Sequence, residues 1–438
     1  MILKNALFWD GKTYRKSDLF VEGGKFSLSS SGPTLDVGGF FLVPGFVDSH
    51  AHLVGTGLSC ATISFSRWEE FFDSKVEGET VLGRGWEEFP PKEILTRLDE
   101  IDKPVFLFRK CGHVVLLNKK AMELFGTRER FLKEDLEEVY RFLFRGEIQR
   151  FFDIGESEFL KHGVTFVQSD DLHGVDLKTL KETLKRSKIR VFEKLNLKIH
   201  EISLECFGTI GDRVYVKGVK VFADGSLGAK TAYISGEYED GTNGLLLVSK
   251  EELEEYAKFC SKNGLLLNVH AIGDEALSVV LDVLTKYPGH RVIHAQLVRE
   301  EDLERSKNVS FSVQPHFFFE DQKLLKNLRV KALMYPFYEM FKRGLLVAFS
   351  SDSPVSPCDP KYVAEHALKM GFSREETFYL LTEAGARQVG VPTGKIAPGF
   401  LADFCLYERD PLLFEDDPVA VFVGGELVKT KSGAGGGT

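Results

Sequence analysis

Eight short apolar segments alternate with amphipathic stretches between residues 46 and 350, and this rhythm most constrains the fold. They are Phe46 to His52, Val164 to Ser169, Arg190 to Leu195, Val214 to Ala223, Leu265 to His270, Arg291 to Ala295, Val309 to Gln314 and Leu345 to Ser350. Apolar runs of this length read as buried strands, and their alternation with helical patterns predicts an α/β fold with a parallel sheet. Eight of them suggest a TIM-type (β/α)8 barrel, whose chemistry sits at the C-terminal ends of the strands. Polar residues fall there: His50, His52, Gln168, Lys220, His270, His294, Gln314 and Asp352.

The chain ends read differently. Ile2-Leu3, Ala6 to Trp9, Leu19 to Val21 and Lys25-Phe26, and at the other end Ala402 to Tyr407 and Ala420 to Val428, look like short strands split by Asp10-Gly11 and Gly-Gly turns. Neither end is large enough to be stable alone. Residues 1–45 and 395–431 are expected to pair as one composite β-sandwich around a barrel spanning 46–394, with 432–438 a flexible tail. Residues 56–160 interrupt the barrel after its first strand; they carry a strand at Lys103 to Arg109 and helical stretches at Lys119 to Phe125 and Glu134 to Leu143. An interval this long is expected to be an inserted subdomain that shapes a substrate pocket.

Charge and cysteine usage narrow the classes further. A net charge of −9 argues against a nucleic-acid partner. The six cysteines, Cys60, Cys111, Cys206, Cys260, Cys358 and Cys405, form no CxxC pair and suit reduced thiols. No apolar stretch is long enough to cross a bilayer and no signal peptide is evident, so a cytoplasmic protein is expected. No Gly-rich dinucleotide fingerprint follows a strand, which disfavours redox chemistry.

The first strand ends in Asp48-Ser49-His50-Ala51-His52. Side chains two apart on a strand point the same way, so His50 and His52 can grip one metal ion. Taken alone, either His270 or His294 is more often a satisfied core residue than a ligand; on successive strands after an HxH they read as further ligands. Asp352 reads as an N-cap or loop acid in isolation, and as a ligand and proton acceptor in this company. Lys220 sits in Val219-Lys220-Val221-Phe222-Ala223-Asp224, where an unpaired ammonium is costly. It is either carbamylated by carbon dioxide or paired with Asp224 or another buried acid, and the residues by themselves favour pairing. Trp86 and His113, from the insert, and His316 are candidate substrate contacts, with packing the competing role for the first two. His162, His173, His200, His290 and His366 read as structural or exposed.

These segments, together with Gly83-Arg84-Gly85-Trp86, Cys111 to Asn118, Asp224 to Ala229, Ser351 to Val355 and Gly394 to Asp403, resemble the amidohydrolase superfamily, in the branch that includes N-substituted formamide deformylase. The resemblance implies a distorted barrel flanked by a β-sandwich from both termini. It implies one metal on His50 and His52, a second on His270 and His294, a carboxylated Lys220 bridging them, and Asp352 as ligand and base. Ile293 departs from the branch, which often has Glu there. Two divalent ions, zinc foremost with iron, manganese, cobalt or nickel compatible, would activate water for attack on an amide or formamide-like carbon–nitrogen bond of a small molecule. Ester, lactone or phosphotriester hydrolysis on the same centre, or a non-catalytic binding protein, are the alternatives. A homodimer is compatible with the sequence. The 37 phenylalanines hint at an apolar pocket wall, although most belong in the core.

Overall fold

The computed structural model describes residues 1–74, 78–86, 88–109, 114–132, 136–172 and 174–430. Two compact units emerge: the first comprises Met1–Leu53, Glu156–Asp171 and Leu184–Thr438, the second Val54–Gly155 and Leu172–Thr183.

In the first unit, eight parallel strands pair in chain order: Phe46–Ala51, Val164–Ser169, Arg190–Leu195, Val214–Phe222, Leu266–Ala271, Arg291–His294, Ser310–Val313 and Leu346–Phe349. Each boundary lies within one residue of the sequence expectation. The second and third strands are buried at every position, as expected of strands covered on both faces. Backbone bonds from Asp352 N to His50 O (2.9 Å) and His52 N to Ser353 O (2.8 Å) bring the chain after the last strand against the end of the first. The result is a nearly closed TIM-type barrel. Its helices carry ordinary stop signals. Lys250–Asn263 starts at Ser249, whose hydroxyl accepts from Glu252 N, and stops at Gly264, at φ +63°. The acidic run Glu251 to Glu255 lies on this helix, whose buried face is Leu253, Tyr256, Ala257 and Cys260.

Strands from both chain ends share a second sheet, in which Phe404–Tyr407 pairs antiparallel with Phe41–Pro44. Leu3, Val21, Phe26, Leu42, Phe404 and Phe422 form its core. Arg190, the first residue of the third barrel strand, donates to both oxygens of Asp403 at 2.6 and 2.9 Å, with both side chains buried. Thr393 Oγ1 and Gly424 N complete that carboxylate's shell.

The second unit holds a sheet ordered Phe131–Leu132, Val115–Leu117, Val105–Arg109, Val81–Trp86 and Ile63–Ser64. The helix expected over Glu134 to Leu143 instead runs from Leu136 to Lys161. It continues through Gly146 and Gly155 because Phe151, Phe152, Phe159 and Leu160 extend its buried stripe, and their burial outweighs about 1 kcal/mol of propensity lost at each glycine. Cys206, Cys260 and Cys405 are free thiols; Cys111 lies outside the described residues. No helix among the described residues is long and apolar enough to cross a membrane.

Candidate metal centre

His50 is the penultimate residue of the first strand and His52 follows its end, which places their rings 5.1 Å apart. Asp48, earlier on that strand, accepts from His50 N and from both the N–H and hydroxyl of Ser351. That clamp delivers Asp352 to the histidines: its Oδ1 lies 3.2 Å from His50 Nε2 and 3.6 Å from His52 Nε2. The three residues each offer a ligand atom within 4.8 Å of the others. The His270 ring lies 4.5 Å from that of His294, which in turn is 5.6 Å from that of His50. His294 and Asp352 adopt φ +82° and +57°, a region that side chains other than glycine enter at a cost and that clusters at functional sites.

The chemistry of these donors fits a divalent ion. A carbonyl oxygen only accepts, so His52 Nδ1–H donates to Asp170 O (2.7 Å), His270 Nε2–H to Gly225 O (2.8 Å) and His294 Nδ1–H to Gln314 Oε1 (2.9 Å). Gln314 Nε2 donates to Ser350 Oγ, which orients the amide. Each of these rings therefore keeps its other nitrogen for a lone pair, the arrangement by which outer contacts prepare histidine ligands.

Charge states agree with that role. Burial, reinforced by the cations Lys194 and Lys220, holds the His50 pKa well below its usual value. Burial does the same at His270, helped by His294 and Lys220, and pushes His294 down to about 4. Burial works against ionisation of Asp352, but His50, His52 and His294 outweigh it and keep the carboxyl well below the usual range. His52 differs. Burial opposes its proton, yet Asp352 and Asp170 raise its pKa above 6.5.

Lys220 is fully buried and pairs with Asp170 Oδ2 at 3.0 Å, its ammonium 4.5 Å from the Phe222 ring centre. Asp224, the other partner considered, instead accepts the backbone N–H groups of Tyr233, Ile272 and Gly273. The sequence reading missed Lys194, whose Nζ lies 3.0 Å from His50 Nδ1 and donates to Gln168 O. The available signal was Glu193-Lys194 directly after Val191-Phe192 inside a buried strand. Glu193 Oε1 accepts from Asp171 N, and Arg291 is buried against oxygens of Asn268, Gln168 and Gln388.

The substrate candidates separate. His316 is fully buried in the first unit, its ring 4.7 Å from Phe317 and 5.4 Å from Tyr362, and neither nitrogen meets a hydrogen-bond partner among the described residues. Burial lowers its pKa to about 4 despite the charge of Asp352. Trp86 packs in the core of the second unit, where its indole N–H donates to Leu107 O, so that donor is unavailable to a substrate. His113 lies outside the described residues.

The model of the Amidohydrolase family matches residues 34–429. The chain belongs to the amidohydrolase family. Its fold is similar to that of a metal-dependent hydrolase from Pyrococcus furiosus, with a TM-score of 0.81 and 29% identity over 94% of this chain and 99% of that one. A metal-dependent hydrolase from Pyrococcus horikoshii OT3 matches with a TM-score of 0.80 and 30% identity, covering 94% and 98%. YtcJ of Bacillus subtilis (strain 168) is 27% identical, covering 91% of this amidohydrolase and 90% of that protein. The chain is thus a hydrolytic enzyme of a metal-dependent family, with residues fit to hold a divalent ion.

Proposed function

We propose that this amidohydrolase cleaves a carbon–nitrogen bond of a small amide or formamide-like molecule, as the resemblance to N-substituted formamide deformylases suggests. The observation that carries the reading is the position of Asp352 Oδ1 against both His50 and His52, with the His270–His294 pair adjacent. His50, His52 and Asp352 would hold one ion and His270 and His294 a second, zinc being well suited to imidazole and carboxylate donors. Divalent ions supply acidified water and polarise a carbonyl oxygen when bound. Asp352, kept ionised by its neighbours, takes the proton from the attacking water and passes it to the departing nitrogen, so the amine leaves neutral. His316, whose ring nitrogens have no hydrogen-bond partner among the described residues and whose pKa responds to the charge of Asp352, would contact substrate. A bridging carbamate on Lys220 would leave one N–H on Nζ, able to keep donating to Asp170 Oδ2 at 3.0 Å.

Elemental analysis with gentle intact-mass measurement tests the centre. About two metals per chain and a gain of one carbon dioxide support the bridged pair; one metal and no added mass leave Lys220 an ammonium. Parallel turnover of matched amides and esters tests the bond: preference for esters, lactones or phosphotriesters would replace the amide reading. A metal-free protein after reconstitution would point to binding without catalysis.

A further inference from the structure

A second group of metal-ligating side chains in the first unit shares no residue with the centre described above. Glu158 lies in the last turn of the helix Leu136–Lys161 and His162 directly follows it, so the two are neighbours four residues apart on one face. Cys358 belongs to the chain returning from the eighth barrel strand, directly before Asp359, which caps the helix Pro360–Lys369. The three offer a carboxylate oxygen, a ring nitrogen and a sulfur that lie within 4.8 Å of one another. A tetrahedral zinc with bonds of about 2.0–2.3 Å spaces its ligand atoms about 3.3–3.8 Å apart, so a small closure suffices to grip one.

The hydrogen bonds of His162 decide which nitrogen faces that group. Asp417 Oδ1 lies 2.8 Å from Nδ1 and is itself held by Lys361. A carboxylate only accepts, so Nδ1 carries a proton, and a carboxylate behind the ring in this way prepares a histidine as a zinc ligand. In a neutral ring the lone pair of Nε2 then faces Glu158 Oε1, 3.2 Å away. Burial opposes ionisation of Glu158, but Lys161 and His162 outweigh it and keep the carboxyl below the usual range. A lone pair against a carboxylate is repulsive, and either a second proton on the ring or a cation between the two relieves it. A proton gives no part to Cys358, whose sulfur is the third donor at the same place. Nor does it serve Tyr407, whose hydroxyl is fully buried with no hydrogen-bond partner among the described residues. That hydroxyl lies against Gly163, the neighbour of His162, where a Cβ would come within 2.8 Å of it, and it feels the charges of Asp417 and Asp359. A buried donor left unpaired is costly and marks a polar site that lacks an occupant.

We propose that Glu158, His162 and Cys358 form a separate site for a zinc-class divalent ion, with water as the fourth ligand, which pins the chain returning from the eighth strand to the helix that leads into the second. Sulfur, imidazole and carboxylate together suit zinc, cobalt or cadmium over magnesium or calcium. His162 and Cys358 are 9% and 5% exposed, whereas the Glu158 side chain is 33% exposed and gives the ion its way in. On binding, the Cys358 thiol gives its proton to solvent and the sulfur enters as thiolate. The half-exposed Lys161, which donates to Glu158 at 2.8 Å, is free to swing into water.

Titration of the full chain with cobalt(II) tests this without relying on turnover. A thiolate on cobalt gives a charge-transfer band in the near ultraviolet that nitrogen and oxygen ligands do not, and the ligands proposed for the catalytic centre include no cysteine. The band should saturate at about one thiolate-bound cobalt per chain, persist in His50→Ala, and vanish in Cys358→Ser and in His162→Asn. Asp417→Asn, which removes the acceptor behind the ring, should weaken the cobalt affinity read at that band about 10–100-fold. Zinc should bleach the band and raise the melting temperature of the His50→Ala chain, in which the catalytic centre is crippled. The Cys358→Ser chain should hold one metal fewer and keep those of the catalytic centre, so its metal content reads the proposed hydrolytic site alone and the two readings fail separately. Absence of the band in the unmodified chain, or a band that survives either Cys358→Ser or His162→Asn, overturns the site and leaves His162 an imidazolium between Glu158 and Asp417.

Discussion

Replacing Gln314 with leucine deletes the acceptor that sets the tautomer of His294. In the native arrangement His294 Nδ1–H donates to Gln314 Oε1 at 2.9 Å, and both side chains are buried beyond the reach of bulk water. Leucine has a similar volume but no acceptor, so the Nδ1–H would be stranded, a penalty of about 1–3 kcal/mol. Losing a contact of this kind outside a metal ligand costs about 10–100-fold in affinity, equivalent to about 1.4–2.8 kcal/mol. Gln314→Glu should do the opposite: a carboxylate accepts the same proton more strongly, and Ser350 Oγ can turn to donate to it. Affinity measured by chelator competition, with metal content after dialysis, should fall by that factor in Gln314→Leu and hold or rise in Gln314→Glu. A folded Gln314→Leu protein that binds metal as tightly as the unmodified chain would refute the assignment of His294 as a ligand prepared by Gln314.

Asp352→Asn should lower kcat by about 10²–10⁴-fold while the circular dichroism melting curve keeps its cooperative form; near-normal turnover would remove Asp352 as the proton carrier. The proton on His52, favoured by its raised pKa, stabilises the metal-free fold below pH 6.5 and is lost as pH rises through the folded value. Metal must expel it, so affinity should fall by up to about tenfold per unit as pH drops below that value, and titrations in buffers of different ionisation enthalpy should report proton release. His50→Ala should lose metal and activity together, read by elemental analysis. Asp403→Asn leaves the buried Arg190 guanidinium without its counter-charge and should cost about 3–5 kcal/mol, seen as a melting temperature lower by several degrees with the metal centre still loaded.

Much of the barrel was legible because buried strands of a parallel sheet announce themselves as short apolar runs, and the residues that terminate those runs fall at the barrel's C-terminal face. His50, His52, His270, His294 and Asp352 could be gathered on that ground before any coordinates. The full helix ending at Lys161 was not, because glycines at 146 and 155 lower its intrinsic propensity and only the burial of Phe151, Phe152, Phe159 and Leu160 outweighs them.

What the sequence determined by itself was local: strand positions, the polar residues at their ends, and the presence of a buried lysine in the fourth strand. Only the tertiary structure decided which groups meet across strands. Lys220 meets Asp170 and not the nearby Asp224, because the second and fourth strands both face the barrel interior while Asp224 turns back to three backbone N–H groups. Lys194 reaches His50 from two strands away for the same reason. Spacing along one chain encodes the direction of a side chain, but a contact between strands depends on the closure and register of the whole sheet.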